Sequence, residues 1–486
     1  MITLSSGLTK LNRALQEWLV GSGVQLDSLS NDVISFFNPA LDLYFQARTY
    51  SMGLVQKSFS DIITFTRADA TSCATRTNEL GLIEVVAANV PRIDYDPVTR
   101  ACKGLLVEES RTNLLLYSED FTTTWNANTT MAMVPDAATS PTGSATADRM
   151  TETLIAASRS TYQDATVTAG ATVAFTTYGK EDLTSAKRYL QLALSLSTGG
   201  NDYVSARFDL ATGTVTESRV GTTLTIFPTA PTASCVDTGN GWYRCQMVAT
   251  PATTTTLRAR IGMCASGTGI TGAAYGFLSY TGDGTSGLYL WGAQLEAGTF
   301  PTSYIPTTTA QVTRAADLAS MAGANFSSWF NQSEGTFVAA ALADNYASAG
   351  AQVRCFLSAG NGLTSTSQEG YEFGRGASTA IRARFYNTGV HTPVAPAAAT
   401  AFGTITSGQA DKFAAGYSLS VPTLVLNGVT ANAGTPPFVK PSVVDRMMIG
   451  GSHATTSSLY VLNGHIKRIT YYPTRLTDAQ LQALTA

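Results

Sequence analysis

Two arginines and a tyrosine at alternate positions, Arg382, Arg384 and Tyr386, are the residues whose pattern best suits ligand binding. In the run Ile381-Arg-Ala-Arg-Phe-Tyr386, strand alternation turns Ile381, Ala383 and Phe385 to one face and leaves two guanidinium groups and a phenol on the other. Guanidinium forks pair with carboxylates and hydroxyls, and a phenol ring covers a sugar, so the expected ligand is an acidic or hydroxylated glycan. An ordinary solvated sheet face fits the same pattern. Glu119, Asp120 and Glu296 form a second candidate set, because jelly-roll glycan modules hold a structural Ca²⁺ where terminal strands meet. Solvated loop acids are the plain alternative, and no cofactor is otherwise required.

Other chemistry is sparse. The three histidines, His391, His453 and His465, lie neither at metal-ligand spacing nor in a nucleophile motif. The strings Gly267-Thr-Gly-Ile-Thr-Gly272 and Gly282-Asp-Gly-Thr-Ser-Gly287 do not open a helix after a strand, so they are loop glycines rather than phosphate cradles. Trp125, Trp242 and Trp291 sit in apolar strand contexts and are expected in the core. Six scattered cysteines contain no CxxC pair and are expected as free thiols. With acidic residues this thin, a non-enzyme is expected; a polysaccharide-cleaving carboxylate pair is the less favoured alternative.

Charged residues make up 13% of the 486, against about 25% in ordinary soluble domains, while hydrophobic residues reach a normal 44%. Thr, Ser, Ala and Gly fill the gap, a mixture that favours strands and turns. Lys and Arg total 31 against 34 for Asp and Glu, a net charge of -3, with no basic block for nucleic acid to follow. The first residues have neither the charged nor the apolar region of a secretory leader, and no apolar run approaches the ~18 residues of a membrane span, so neither is expected.

The elements that position these residues are read from periodicity. Leu8, Leu11, Leu15, Trp18 and Leu19 predict one amphipathic helix, stopped by Gly21 and Gly23, and Val33–Phe37 and Leu41–Phe45 follow as small apolar clusters. Residues 1–60 are therefore expected as a docking and oligomerisation segment. From residue 113 the period becomes two: Leu190, Leu192, Leu194 and Leu196 alternate with polar partners, as do Val204, Ala206, Phe208 and Leu210. Asp209 to Val215 reads as a hairpin, and Gly241-Trp-Tyr-Arg, Leu257-Arg-Ala-Arg-Ile and Leu288-Tyr-Leu-Trp-Gly add strands. Asn361-Gly362, Asn427-Gly428 and Asn463-Gly464 mark tight reversals in a second strand-rich region, and a helix capped by Thr477 or Asp478 closes the chain. The expectation is an all-β chain of two jelly-roll or lectin-like β-sandwiches after a short helical or extended segment. Its divisions are docking segment 1–60, connector 61–112, and sandwiches 113–312 and 313–486, which fold independently and meet near Thr307 to Met321.

Several strings resemble known virion proteins. Thr64-Phe-Thr-Arg-Ala-Asp-Ala-Thr, Ala87-Ala-Asn-Val-Pro-Arg-Ile-Asp-Tyr-Asp-Pro and Gly104-Leu-Leu-Val-Glu-Glu-Ser-Arg-Thr-Asn-Leu-Leu resemble the connector before adhesion domains in tailed phages. Gly241-Trp-Tyr-Arg, Leu290-Trp-Gly-Ala-Gln-Leu-Glu-Ala-Gly, Thr302-Ser-Tyr-Ile-Pro-Thr and Thr313-Arg-Ala-Ala-Asp resemble the phage head spike fibre domain, a carbohydrate-module-like jelly roll. Gly464-His-Ile-Lys-Arg-Ile-Thr-Tyr-Tyr-Pro is similar to the last strand of concanavalin A-like, laminin G-like domains. The resemblance covers residues 61–486. It implies a fibre or spike on a phage tail or capsid, made in the host cytoplasm. It further implies attachment to host-surface polysaccharide. Outside the resemblance, the helix and apolar clusters of residues 1–60 cannot bury themselves, so that segment is expected to contact other virion proteins and to assemble the chain as a trimer. A purely structural decoration or baseplate protein is the alternative.

Overall fold

The computed structural model describes residues 39–126, 130–186, 188–196, 200–270, 274–343, 354–362, 369–375, 381–387, 390–394, 411–418, 423–432, 441–452 and 461–486, with backbone alone for 274, 343, 375, 381–387, 390–394 and 431–432. The expected helix around Leu8–Leu19 and the Val33–Phe37 cluster lie outside the described residues.

The fold is all-β, with every strand pair antiparallel and two sandwiches, one inserted into the other. In the outer sandwich a ten-stranded sheet runs Val55–Lys57, Thr49–Met52, Leu41–Tyr44, Gly464–Tyr472, Gly335–Ala343, Asp411–Tyr417, Thr423–Leu426, Val429–Asn432. Arg92–Tyr95 and Cys102–Val107 join it beside Gly464–Tyr472. A seven-stranded sheet faces it, in the order Val390–Val394, Ile381–Asn387, Gly370–Arg375, Arg354–Gly360, Arg446–Ile449, Leu318–Ala322, Thr64–Thr66. Between them Phe337, Tyr371, Phe373, Phe413, Tyr417 and Tyr471 make an aromatic core, with Phe337 and Tyr471 4.8 Å apart and the Tyr417 and Tyr471 hydroxyls bonded at 2.8 Å. Partnering those hydroxyls inside the core avoids the cost of burying them bare.

These sheets correct the expected divisions. Residues 41–57 form three strands of the outer sandwich rather than a separate docking segment, with Leu43 opposite Ile469. Leu41, Leu43 and Phe45 are fully buried, and Asp42 on the other face receives Arg468 at 2.8 and 2.6 Å. Residues 61–112 likewise supply strands to both sheets and are no mere connector. Apolar runs too short for a core of their own are stable here because they extend sheets built from strands hundreds of residues later.

The inner sandwich packs a six-stranded sheet (Met131–Thr139, Ala145–Glu152, Gly287–Ala297, Val173–Glu181, Trp242–Ala249, Thr232–Asp237) on a five-stranded one (Arg159–Val167, Thr255–Cys264, Tyr189–Leu196, Tyr203–Asp209, Thr214–Val220). Leu190, Leu192, Leu194, Val204, Ala206 and Phe208 point into its core as the alternation predicts, and Trp125, Trp242 and Trp291 are 5%, 1% and 0% exposed. The hairpin at Gly213 forms, its φ of 65° being open to glycine without strain, and Asn427-Gly428 turns with both φ positive. Thr477 caps the closing helix Asp478–Thr485 in a reciprocal box with Gln480.

The insert leaves and re-enters through one ladder, Arg111–Asn113 paired with Val312–Arg314. Beside it lies a buried ionic clasp. Arg67 bonds Asp69 at 2.6 Å and Asp317 at 3.2 Å; Arg92 contacts Asp317 and bonds Glu108 at 2.8 Å; Arg314 bonds Glu108 at 2.8 Å. The Ser303 amide and hydroxyl, from the inner sandwich, also donate to Glu108 at 2.8 and 2.6 Å. Burial opposes ionisation of Glu108, but Arg314, Arg92 and Ser303 outweigh it and hold the carboxyl well below its usual range. Three guanidinium groups meet three carboxylates, so the network is neutral, the condition under which buried charges are tolerated. The strings Thr64–Thr71, Ala87–Pro97 and Gly104–Leu115 thus meet those around Ser303 and Arg314 at one junction.

Candidate functional site

The outer face of the five-stranded sheet carries a cluster of arginine and tyrosine side chains. In Thr255–Cys264, Leu257, Ala259, Ile261 and Met263 enter the core, leaving Arg258 and Arg260 on the opposite face. The register sets Arg260 between Tyr162 and Ala193, and Arg258 between Asp164 and Ser195. The Arg258 guanidinium lies 4.3 Å from the Tyr162 ring centre and its Nε donates to Asp164 at 3.0 Å. That of Arg260 lies 4.7 Å from Tyr162 and 3.6 Å from Tyr275, and its Nε donates to Ser195 Oγ at 3.2 Å.

Tyr275 reaches Arg260 because the loop after Cys264 is bolted onto the sheet. Arg207, fully buried, donates to the carbonyls of Ser266 and Thr268 at 3.0 and 2.7 Å and to Gln191 Oε1 at 3.1 and 2.8 Å. Gln191 in turn donates to the Gly276 carbonyl at 3.0 Å. Tyr275 sits at φ 63°, a left-handed conformation that costs a non-glycine residue on the order of 1 kcal/mol, and its amide bonds Gly200 O at 2.8 Å. Backbone strain is spent here to hold a ring over a guanidinium.

Arg260 is 5% exposed, and among the described residues no carboxylate forms an ion pair with it, since Asp164 is engaged by Arg258. Burial, aided by the like charge of Arg258, pulls Arg260 below the ordinary guanidinium range. A shielded cation between two phenols is arranged to take an anionic or hydroxyl-bearing group edge-on, with stacking against the rings. Sequence reasoning passed over this pair although Leu257-Arg-Ala-Arg-Ile repeats the alternation noticed in Ile381-Arg-Ala-Arg-Phe. The missing signal was Tyr275, which only the folded loop supplies.

The sequence-chosen residues fall elsewhere. Ile381–Asn387 is a strand of the seven-stranded sheet, with Arg382, Arg384 and Tyr386 at register positions opposite Gly374, Glu372 and Gly370; their side chains lie outside the described residues. Glu119, Asp120 and Glu296 do not form one donor set. Glu296 is fully buried and accepts from Thr302 N, Thr302 Oγ1 and Gln294 Nε2 at 2.7, 2.7 and 2.8 Å. Asp120 accepts from its own turn, Thr122 N at 2.8 Å and Thr123 N at 3.2 Å, while Glu119 accepts from the Tyr304 hydroxyl at 3.1 Å. Protein donors take both oxygens of Glu296, Oδ1 of Asp120 and Oε1 of Glu119, and among the described residues no group of three or more His, Cys, Asp or Glu is gathered for a metal. Also among the described residues, no helix is long and apolar enough to cross a membrane.

No protein-family model matches the sequence, and no curated protein matches it. Among solved structures, the carbohydrate-binding module CBM40 of the Ruminococcus gnavus IT-sialidase is similar to 32% of this chain and matched over 84% of its own, at 20% identity and a TM-score of 0.27. The NanB sialidase of Streptococcus pneumoniae matches 34% of this chain and 26% of its own, at 13% identity and TM-score 0.27. Domain 4 of AbnA, an arabinanase of Geobacillus stearothermophilus, matches 35% of this chain and 73% of its own, at 12% identity and TM-score 0.26.

Proposed function

We propose that this chain is a virion fibre or spike protein of a tailed phage that holds host-surface glycan on its sandwiches, first of all at the Tyr162–Arg260–Tyr275 cluster. The observation that carries the glycan reading is the strained Tyr275 held 3.6 Å over a buried arginine that no described carboxylate neutralises. The resemblance of the connector and spike strings to phage proteins, and the low-charge, Thr-rich composition, support the virion setting. Residues 1–38 are proposed to dock onto other virion proteins as a trimer, giving weak single sites avidity across many copies. Arg382, Arg384 and Tyr386 are proposed as a second glycan contact. The buried clasp favours a second reading, a decoration or baseplate protein valued for rigidity alone.

A glycan array probed with the full chain separates the readings. Bound glycan that is lost in Tyr275→Ala and Arg258→Ala supports the adhesin. Silence supports the structural protein, and cleaved glycan supports a hydrolase.

A further inference from the structure

Away from the sheet face, a cavity of about 360 Å³ opens where both sandwiches meet, within the ~300–1,000 Å³ range of small-ligand sites. Three stretches of chain build its walls: strands of residues 74–107, the edge of the six-stranded sheet with the turn at 300–304, and Asn463 and His465 of the outer sandwich. The neighbouring clasp fixes these walls to one another, so the cavity is preformed and little ordering is lost on filling it.

Charge in the cavity is unevenly matched. Arg76 is paired with Glu84 at 2.6 Å, and Lys103 shares Asp94, at 3.7 Å, with His465 Nε2 at 2.8 Å. Glu108 is taken by Arg92 and Arg314. Arg244 is the cation left over: its Nη2 donates only to neutral oxygens, Thr302 O at 2.8 Å and Thr176 Oγ1 at 3.3 Å, and it forms no ion pair among the described residues. Its Nε is buried without a hydrogen-bond partner. Gln246 and Thr238 add neutral polar groups to the same wall.

We infer that this interdomain cavity binds a sugar acid of hexuronate size, its carboxylate on Arg244 and Lys103 and its hydroxyls on the neutral polar wall. The site is independent of the Tyr162–Arg260–Tyr275 cluster.

Calorimetric titration of the full chain with glucuronate tests this, with glucose as the neutral counterpart and inorganic phosphate as the bare anion. Saturable binding of glucuronate is expected, with glucose silent, phosphate weaker by about tenfold or more, and a loss of about tenfold in Arg244→Gln. Lys103→Met, at a side chain 26% exposed, gives the same readout if Arg244→Gln fails to fold. The titrations are repeated in an Arg258→Ala background, which removes the sheet-face site, and there the tenfold loss in Arg244→Gln should persist. The inference is overturned if glucuronate does not bind, or if phosphate or glucose binds as well. It is also overturned if folded Lys103→Met binds like the parent, or if Arg258→Ala abolishes binding.

Discussion

Arg67 and Asp317 are 250 residues apart in the chain and 3.2 Å apart in space, with neither side chain exposed. Each belongs to a short string, Thr66-Arg-Ala-Asp69 before the inserted sandwich and Thr313-Arg-Ala-Ala-Asp317 after it, so the two margins of the insert are tied by ion pairs. Asp317 also receives Arg92 and the Glu108 amide, at 2.9 Å for the latter.

Asp317→Ala should therefore destabilise the outer sandwich by ~3–5 kcal/mol, because it strands guanidinium groups where water cannot reach them. Denaturant unfolding measures this, and adding Arg67→Met should recover part of the loss. A cost below ~1 kcal/mol, the size of an exposed pair, would show that the clasp is solvated.

A carboxyl in the inner sandwich should set a pH dependence. Asp148 is 2% exposed and accepts the amides of Phe121 at 2.7 Å and Asp136 at 3.1 Å, yet burial pushes it up to about 6 from 3.8. Between those values the native state holds more protons than the unfolded one, so stability falls as pH rises and is level above about 6. The upper bound is ~3 kcal/mol at ~1.4 kcal/mol per unit. Asp148→Asn should remove that slope; identical pH profiles for parent and variant would refute the assignment.

Cys235 and Cys245 are register partners on adjacent strands with sulfurs 3.6 Å apart, and no disulfide joins any of the six cysteines, all of which are described. Oxidised glutathione should convert the pair to a disulfide, taking two electrons and two protons to become two reduced glutathiones. Burial raises Cys245 well above the ordinary thiol range, so exchange begins at the half-buried Cys235 and is slow at neutral pH. Titratable thiols should fall from six to four, with a gain of about 2–3 kcal/mol from the short closed loop. Six thiols after prolonged oxidation would count against it.

Tyr275→Gly and Tyr275→Ala both lose the ring over Arg260, but only glycine relieves the φ of 63°. The glycine variant should be more stable than the alanine variant by ~1 kcal/mol, with glycan binding lost in both. Equal melting temperatures would mean the backbone relaxes once the ring is gone.

The class of fold was legible because period-two alternation is a local signal: Leu190 to Leu194 and Leu257 to Ile261 announce their buried face without any partner strand. The nesting was not. Leu41–Tyr44 is a four-residue run whose partner, Ile469 and its neighbours, is set by long-range pairing that no window around residue 41 contains. The same holds for the sites. Arg258 and Arg260 were as visible as Arg382 and Arg384, but the ring that distinguishes them arrives on a loop held by Arg207 and Gln191.

The ladder between Arg111–Asn113 and Val312–Arg314 has a mechanical consequence. A domain appended to the end of a chain hangs by one covalent thread, whereas the inserted sandwich hangs by two, emerging side by side. Any pull on the Tyr162–Arg260–Tyr275 face is shared between both threads before it reaches the outer sandwich, and twisting about either one is blocked by the other. A domain mounted this way transmits torque as well as tension to the sandwich that carries it.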